Sequence, residues 1–229
     1  AAAAPTKGAG RPAPFFVRRS YRGTAALDWT QRWSHHGRSG LRRRAPTRCG
    51  PVAMPRVAAA FLANARTRLA ALDDSLARAA TPADVAWTLC GFAGKELELV
   101  DAIVYLRDAD GHALTQQAAW GPKRAASRVL ESRITLAPGQ GIVGRCAQLR
   151  LPQRTGDARF DPRYVPDDQS NLSELAVPIQ SGGTLFGVLD SEHPDADHYS
   201  LDHEHALQAI ADRGARRLRA LAQPEKPGT

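Results

Sequence analysis

Two apolar runs, SELAVPIQ at Ser173–Gln180 and LFGVLDS at Leu185–Ser191, stand on either side of the adjacent glycines Gly182 and Gly183. Glycine enters the left-handed backbone region without a Cβ penalty, and a two-residue turn of that geometry matches the twist of paired strands. The spacing therefore predicts a β-hairpin, the firmest local feature of the chain. It fixes an antiparallel sheet on which the other elements must pack.

Those elements are legible by their periodicity. From Val57, the apolar positions Phe61, Leu62, Ala65, Leu69, Leu72 and Leu76 recur at spacings of three and four, which predicts one helix with a single apolar stripe. Thr81 reads as the N-cap of a second helix, with Pro82 first inside it and Asp84 three residues beyond the cap; Val85, Leu89, Phe92 and Leu97 face inward. Leu99–Arg107 and Ala113–Trp120 predict a second hairpin around Asp108–Gly111. Arg133–Leu136 predicts a short strand, closed by the glycine-rich turn Pro138–Gly141 and followed by a short helix, Ile142–Leu149. Ser200 caps a last helix, with Asp202 and Glu204 in its first turn and Arg213, Arg216, Arg217 and Arg219 placed in its last. The order implies an α+β sandwich with one antiparallel sheet.

The net charge of +8 suggests nucleic acid or membrane until it is located. Eleven of the 31 basic residues lie in residues 1–53 against a single acid, Asp28, so the remaining 20 bases and 22 acids nearly cancel. Residues 1–53, rich in Arg, Gly, Pro and Ala, are expected to be a disordered basic extension. Met54, the only methionine, stands where that composition stops, and is expected to be the native start. A basic arm built on Arg42, Arg43 and Arg44, or a transit peptide, are the other readings of the segment. Residues 54–221 make the domain and 222–229 a flexible tail.

No run approaches the roughly 18 apolar residues of a membrane helix. Cys49, Cys90 and Cys146 fit neither a disulfide framework nor a close metal pair. A cytoplasmic protein without nucleic-acid or membrane partners is expected.

From about Leu76 to Leu218 the sequence resembles the GAF domain family. The resemblance rests on four motifs in order: PGQGIVG at Pro138–Gly144, FDPRY at Phe160–Tyr164, SELAVPI at Ser173–Ile179 and GVLDSEHP at Gly187–Pro194. It implies a central antiparallel sheet of about six strands. The terminal helices would pack on one face, and a ligand pocket on the other would be roofed by Ile142–Leu149 and Asp157–Gln169. It also implies a bacterial signal-transduction module: a small-molecule sensor, a homodimer through its first and last helices, and a downstream signalling partner. The ligand-facing residues would be Glu174, Asp190 and Glu192 on the strands, Ile142 and Cys146 on the short helix, and Asp157, Phe160, Asp161 and Tyr164 in the roof.

The sequence is more distantly similar to the GAF-fold enzymes that reduce free methionine sulfoxide, at Ser170–Glu174 and Gly187–Asp190. Their chemistry needs an attacking and a resolving thiolate. Val143 and Pro166 stand where that family has cysteines, which leaves Cys146 alone as an alternative nucleophile. The reading is therefore a non-enzymatic sensor of a small metabolite, with no cofactor, no metal and no catalytic residue. Glu174 and Asp190 would select a cationic or amine-bearing ligand, or else Glu174 would merely cap or pair at the strand edge and Asp190 would face solvent. His193, His198, His203 and His205 match no ligand spacing and are expected on the solvated surface. Asp161, Arg163, Asp167 and Asp168 are either turn residues or a ligand gate.

Overall fold

A computed structural model describes residues 56–122, 124–126, 128–130, 133–162 and 171–223. The basic extension, Met54, Arg163, Tyr164, Asp167, Asp168 and the tail beyond Gln223 lie outside the described residues.

The order is α1 (Arg56–Ala63), α2 (Ala65–Ala77), α3 (Pro82–Glu96), β1 (Ala102–Arg107), β2 (Leu114–Trp120), β3 (Arg124–Ala126), β4 (Val129–Leu130) and β5 (Thr135–Leu136). Then come α4 (Gly141–Leu149), β6 (Gln153–Thr155), a 3-10 turn (Ala158–Phe160), β7 (Ser173–Ser181), β8 (Thr184–His193) and α5 (Leu201–Ala222). Six strands form one antiparallel sheet in the order β5-β2-β1-β8-β7-β6, and β3 pairs with β4 apart from it. The α+β expectation holds.

The glycine hairpin forms as predicted. Gly182 and Gly183 both take positive φ, 58° and 80°, between strands paired from Ser173 with His193 to Ser181 with Thr184. On one face of the sheet, Val104, Leu175, Val177, Ile179 and Leu189 pack with Leu89, Leu207 and Ile210 of the helices. On the other, Ile103, Ala176 and Val188 pack with Ile142, Val143 and Cys146 of α4. The single long first helix is corrected to two. Asn64 separates α1 from α2 at φ −117°, its Nδ2 donating to Ala60 O at 3.1 Å, because an Asn side chain offers the backbone a local alternative to the helical ladder.

Thr81 caps α3 with a reciprocal capping box to Asp84, as the spacing predicted. The following strand begins at Ala102, not Leu99. Glu98 is left-handed at φ 52° and Leu99 N–H donates back to Gly94 O at 3.1 Å, so Leu99 closes the helix instead of opening the strand. Of the arginines placed in the last turn of α5, only Arg219 lies there. Arg213 pairs with Asp73 of α2, and Arg217 donates twice to Ala79 O, at 3.1 and 2.8 Å. They tie the helical layer together and do not serve the dipole. Phe61, Leu69, Leu72 and Leu76 are likewise buried in the chain's own core, so the apolar stripe needs no second copy to cover it.

Candidate functional site

Strand periodicity builds the site. Along β8, Val188 faces α4 and Leu189 faces the helical layer, so Asp190 and Glu192 turn toward α4 with Val188. On β7, Glu174 shares that face with Ala176, and register sets Glu174 opposite Glu192 and Ala176 opposite Asp190. Asp190, Glu174 and Glu192 are all buried, at 0%, 5% and 7% exposure. The solvent-facing alternative for Asp190 is thereby overturned, while the strand-edge pairing alternative for Glu174 stays open. The three offer oxygens within 4.8 Å of one another, a set that could hold a cation.

Ile142 and Cys146 are buried on α4 over the same face. Burial first, then the carboxylates of Asp190 and Glu174, push the Cys146 thiol far above its ordinary range, which keeps it protonated and poorly nucleophilic. Cys90 lies in the cluster on the opposite side of the sheet, its thiol raised by burial and then by Asp101 and Asp190. Among the described residues, then, the roofed face has one thiol and no second one within its cluster.

The roof residues divide. Asp157 turns into its own 3-10 turn, accepting from Arg159 N at 3.0 Å and pairing with the Arg159 guanidinium at 2.6 Å, which holds its carboxyl below the usual range. Phe160 is 82% exposed, with the Arg159 guanidinium 5.7 Å from its ring. Neither is gathered with the carboxylates: Asp157 is spent on capping its own turn, and Phe160 projects outward. Asp161 N–H closes the turn on Ala158 O at 3.2 Å. Tyr164 lies outside the described residues. Two cavities among the described residues, about 270 Å³ beside Leu106, Phe186 and Leu218 and about 280 Å³ beside Trp87, Arg128 and Arg133, are lined by none of the three carboxylates.

Asp101 and the Ser191–Tyr199 pair were missed. Asp101, 2% exposed, accepts from Glu192 N–H at 3.4 Å, while its carbonyl takes the Ser191 hydroxyl at 2.5 Å and Ser191 Oγ stands 2.7 Å from Tyr199 Oη. The signal was present: a lone acid inside the apolar run LVDAIVYLR. The histidines are a correction as well. His203 is buried and its ring closes the α5 capping box, and His193 and His198 stack, so only His205 of the four is on the exposed surface.

The GAF domain model matches residues 84–218, more than half of the chain. A search of the curated proteins found no match. Among solved structures, the chain is similar to the free methionine-R-sulfoxide reductase of Neisseria meningitidis in complex with its substrate, at 20% identity and TM-score 0.59, covering 71% of this chain and 90% of that one. It is similar to the GAF domain of an Acinetobacter phosphoenolpyruvate-protein phosphotransferase at 16% identity and TM-score 0.60, covering 69% and 93%. The corresponding domain from Coxiella burnetii gives 17%, 0.60, 69% and 94%. At these identities the likeness speaks for the fold, which sensors and reductases share. Sheet order, helix placement and family model agree: the chain belongs to the GAF domain family, whose members are in general small-molecule-binding regulatory domains.

Proposed function

We propose that this GAF domain is a sensor, not an enzyme, and that its α4-covered face binds a small metabolite carrying an ammonium or similar cation. The observation that carries the reading is the convergence of Glu174, Asp190 and Glu192 within 4.8 Å on a buried face. The three acids make the buried face electronegative, with Asn171 Nδ2 donating to Glu192 Oε2 at 2.8 Å, and an organic cation with an apolar body would complement that charge while meeting Ile142, Val143 and Val188. Such a ligand would bias the position of α4 against the sheet, and that shift is the signal.

The reductase reading rests on Cys146. It is favoured by the reductase among the structural neighbours, and opposed by a thiol that burial and two carboxylates keep protonated. A thermal-shift screen of amines and amino acids on the full chain tests the sensor. A cationic hit should raise Tm in wild type and in Cys146→Ser, and lose its effect in Glu174→Gln. Thiol-dependent turnover abolished by Cys146→Ser would install the reductase instead. The homodimer through the first and last helices has lost its sequence argument, since the apolar stripe is spent within the chain; light scattering on the full chain tests it. No described helix is long and apolar enough to cross a membrane.

A further inference from the structure

Three imidazoles gather where β8 hands over to α5. The rings of His193 and His198 stack with centroids 3.5 Å apart and planes 8° apart, and His203 lies 5.3 Å from His198, tilted by 34°. Tyr199 stands edge-on to both His198 and His203, at 5.0 and 5.7 Å, with its hydroxyl 2.7 Å from Ser191 Oγ. Two of the rings use Nδ1 as an acceptor: His203 from Ser200 N–H at 3.1 Å, and His193 from Asp195 N–H at 3.0 Å. Each of those bonds needs an Nδ1 without a proton.

We propose that this column is a proton-sensitive latch, which fastens the β8–α5 connection while its rings are neutral and releases it when His198 takes up a proton. His198 is half-buried, and an imidazolium stacked there on one neutral ring and next to a second is driven toward solvent, which pulls on the His203 ring that caps α5. What the connection holds gives the release a consequence. Asp197 N–H donates to Gly156 O at 2.7 Å, Ser173 Oγ to Asp195 O at 2.7 Å, and Arg154 Nη1 to Tyr199 O at 3.1 Å. Gly156 immediately precedes Asp157, the cap of the Ala158–Phe160 turn, so the latch holds that turn as well as the start of the last helix.

The surrounding charges fix the direction. His198 is faced by His193, His203 and Asp195; burial comes first, the two imidazoles next, and Asp195 opposes them only weakly, so His198 is held down to about 4 from an ordinary 6.5. His203 is lowered by burial against the opposing pull of Asp202, with His193 and Arg154 adding to the fall. Asp101, Asp190 and Glu192 face the far end of the column at Tyr199. A folded-state value below the unfolded one means that the unfolded chain binds the proton first. The stability the column contributes is therefore complete above about pH 6.5 and is lost as pH falls from there through about 4.

The test uses the full chain. Imidazole NMR titration should place His198 near 4, with the backbone amides of Asp197 and Ser200 shifting in step with it. Tm should fall by about 5 °C between about pH 7 and about pH 5 in wild type and in the exposed-site control His205→Ala, and by less than about half of that in His198→Phe, which keeps a stacked ring without a proton site. The latch is overturned if His198 titrates near 6.5, if its protonation leaves Asp197 and Ser200 unmoved, or if His198→Phe keeps the full slope. Should His198→Phe not fold, the wild-type titration decides.

Discussion

The two faces of the sheet share the same strands and differ in what they bury. Toward the helices, Val104, Leu175, Val177, Ile179 and Leu189 meet Leu89, Leu207 and Ile210, an apolar layer throughout. Toward α4, the alternate residues of the same strands include Ile103 and Val188 but also Glu174, Asp190 and Glu192. Apolar burial supplies stability in proportion to area, while burying a carboxylate carries a desolvation cost that its partners must offset. The helical face is thus an apolar layer throughout, whereas the α4 face combines an apolar cluster with three buried acids, the group on which the proposed site rests.

The sharpest break of that contrast is Leu189→Ala, which opens a void in the fully buried helical face. It should cost about 3 kcal/mol, read from the urea midpoint at unchanged slope. A cost under about 1 kcal/mol would mean that the helical layer is not the stabilising one.

The thiols sharpen it next. Cys90 and Cys146 are both fully buried, one on each face, so native-state alkylation must wait for an opening. Reaching Cys90 requires the helical layer to part, whereas reaching Cys146 requires only the short helix α4 to lift. Alkylation followed by mass spectrometry should label Cys146 at least about tenfold faster, a difference of about 1.4 kcal/mol in opening free energy. Equal rates would make the two faces one cooperative unit. A smaller effect comes from the caps: α3 and α5 are closed by capping boxes, whereas α4 has no side-chain cap at its start. Thr81→Ala should cost about 1 kcal/mol of global stability, measured in urea, and leave the Cys146 labelling rate unchanged, because its cap belongs to the helical side.

What the sequence disclosed follows the same divide. The hairpin at Gly182-Gly183, the Thr81 cap and the inward positions of α3 were legible because each depends on a few neighbouring residues and a period. The second hairpin blurred at Leu99, where the C-terminal closure of α3 took the start of an apparently continuous β-run. β6 and the β3–β4 pair were missed because two or three residues carry no period. At the candidate site, Glu174, Asp190 and Glu192 were reached through the family resemblance, and the structure brings the three together on one buried face. Asp157 and Phe160 were not separable from them by sequence, because an irregular turn has no repeat from which to read a direction. The histidines failed for a related reason: spacing shows which residues share a helix face, but the stack joins a strand end, a loop and a helix cap.

The smallest expected change is also the one that most directly opposes the faces to each other. Asp190 lies next but one along β8 from Glu192, is fully buried, and its neighbour Leu189 is the apolar residue of the first prediction. Asp190→Asn keeps the shape and removes one carboxylate from a group of three whose oxygens lie within 4.8 Å. Crowded like charges destabilise one another, so dropping one should leave stability within about 0.5 kcal/mol of wild type or raise it. Ligand-induced stabilisation by a cationic metabolite should vanish in the same variant. A destabilisation approaching that of Leu189→Ala would show that the carboxylate is a structural member of the core, and the distinction between a face that holds the fold and a face that waits for a ligand would fall with it.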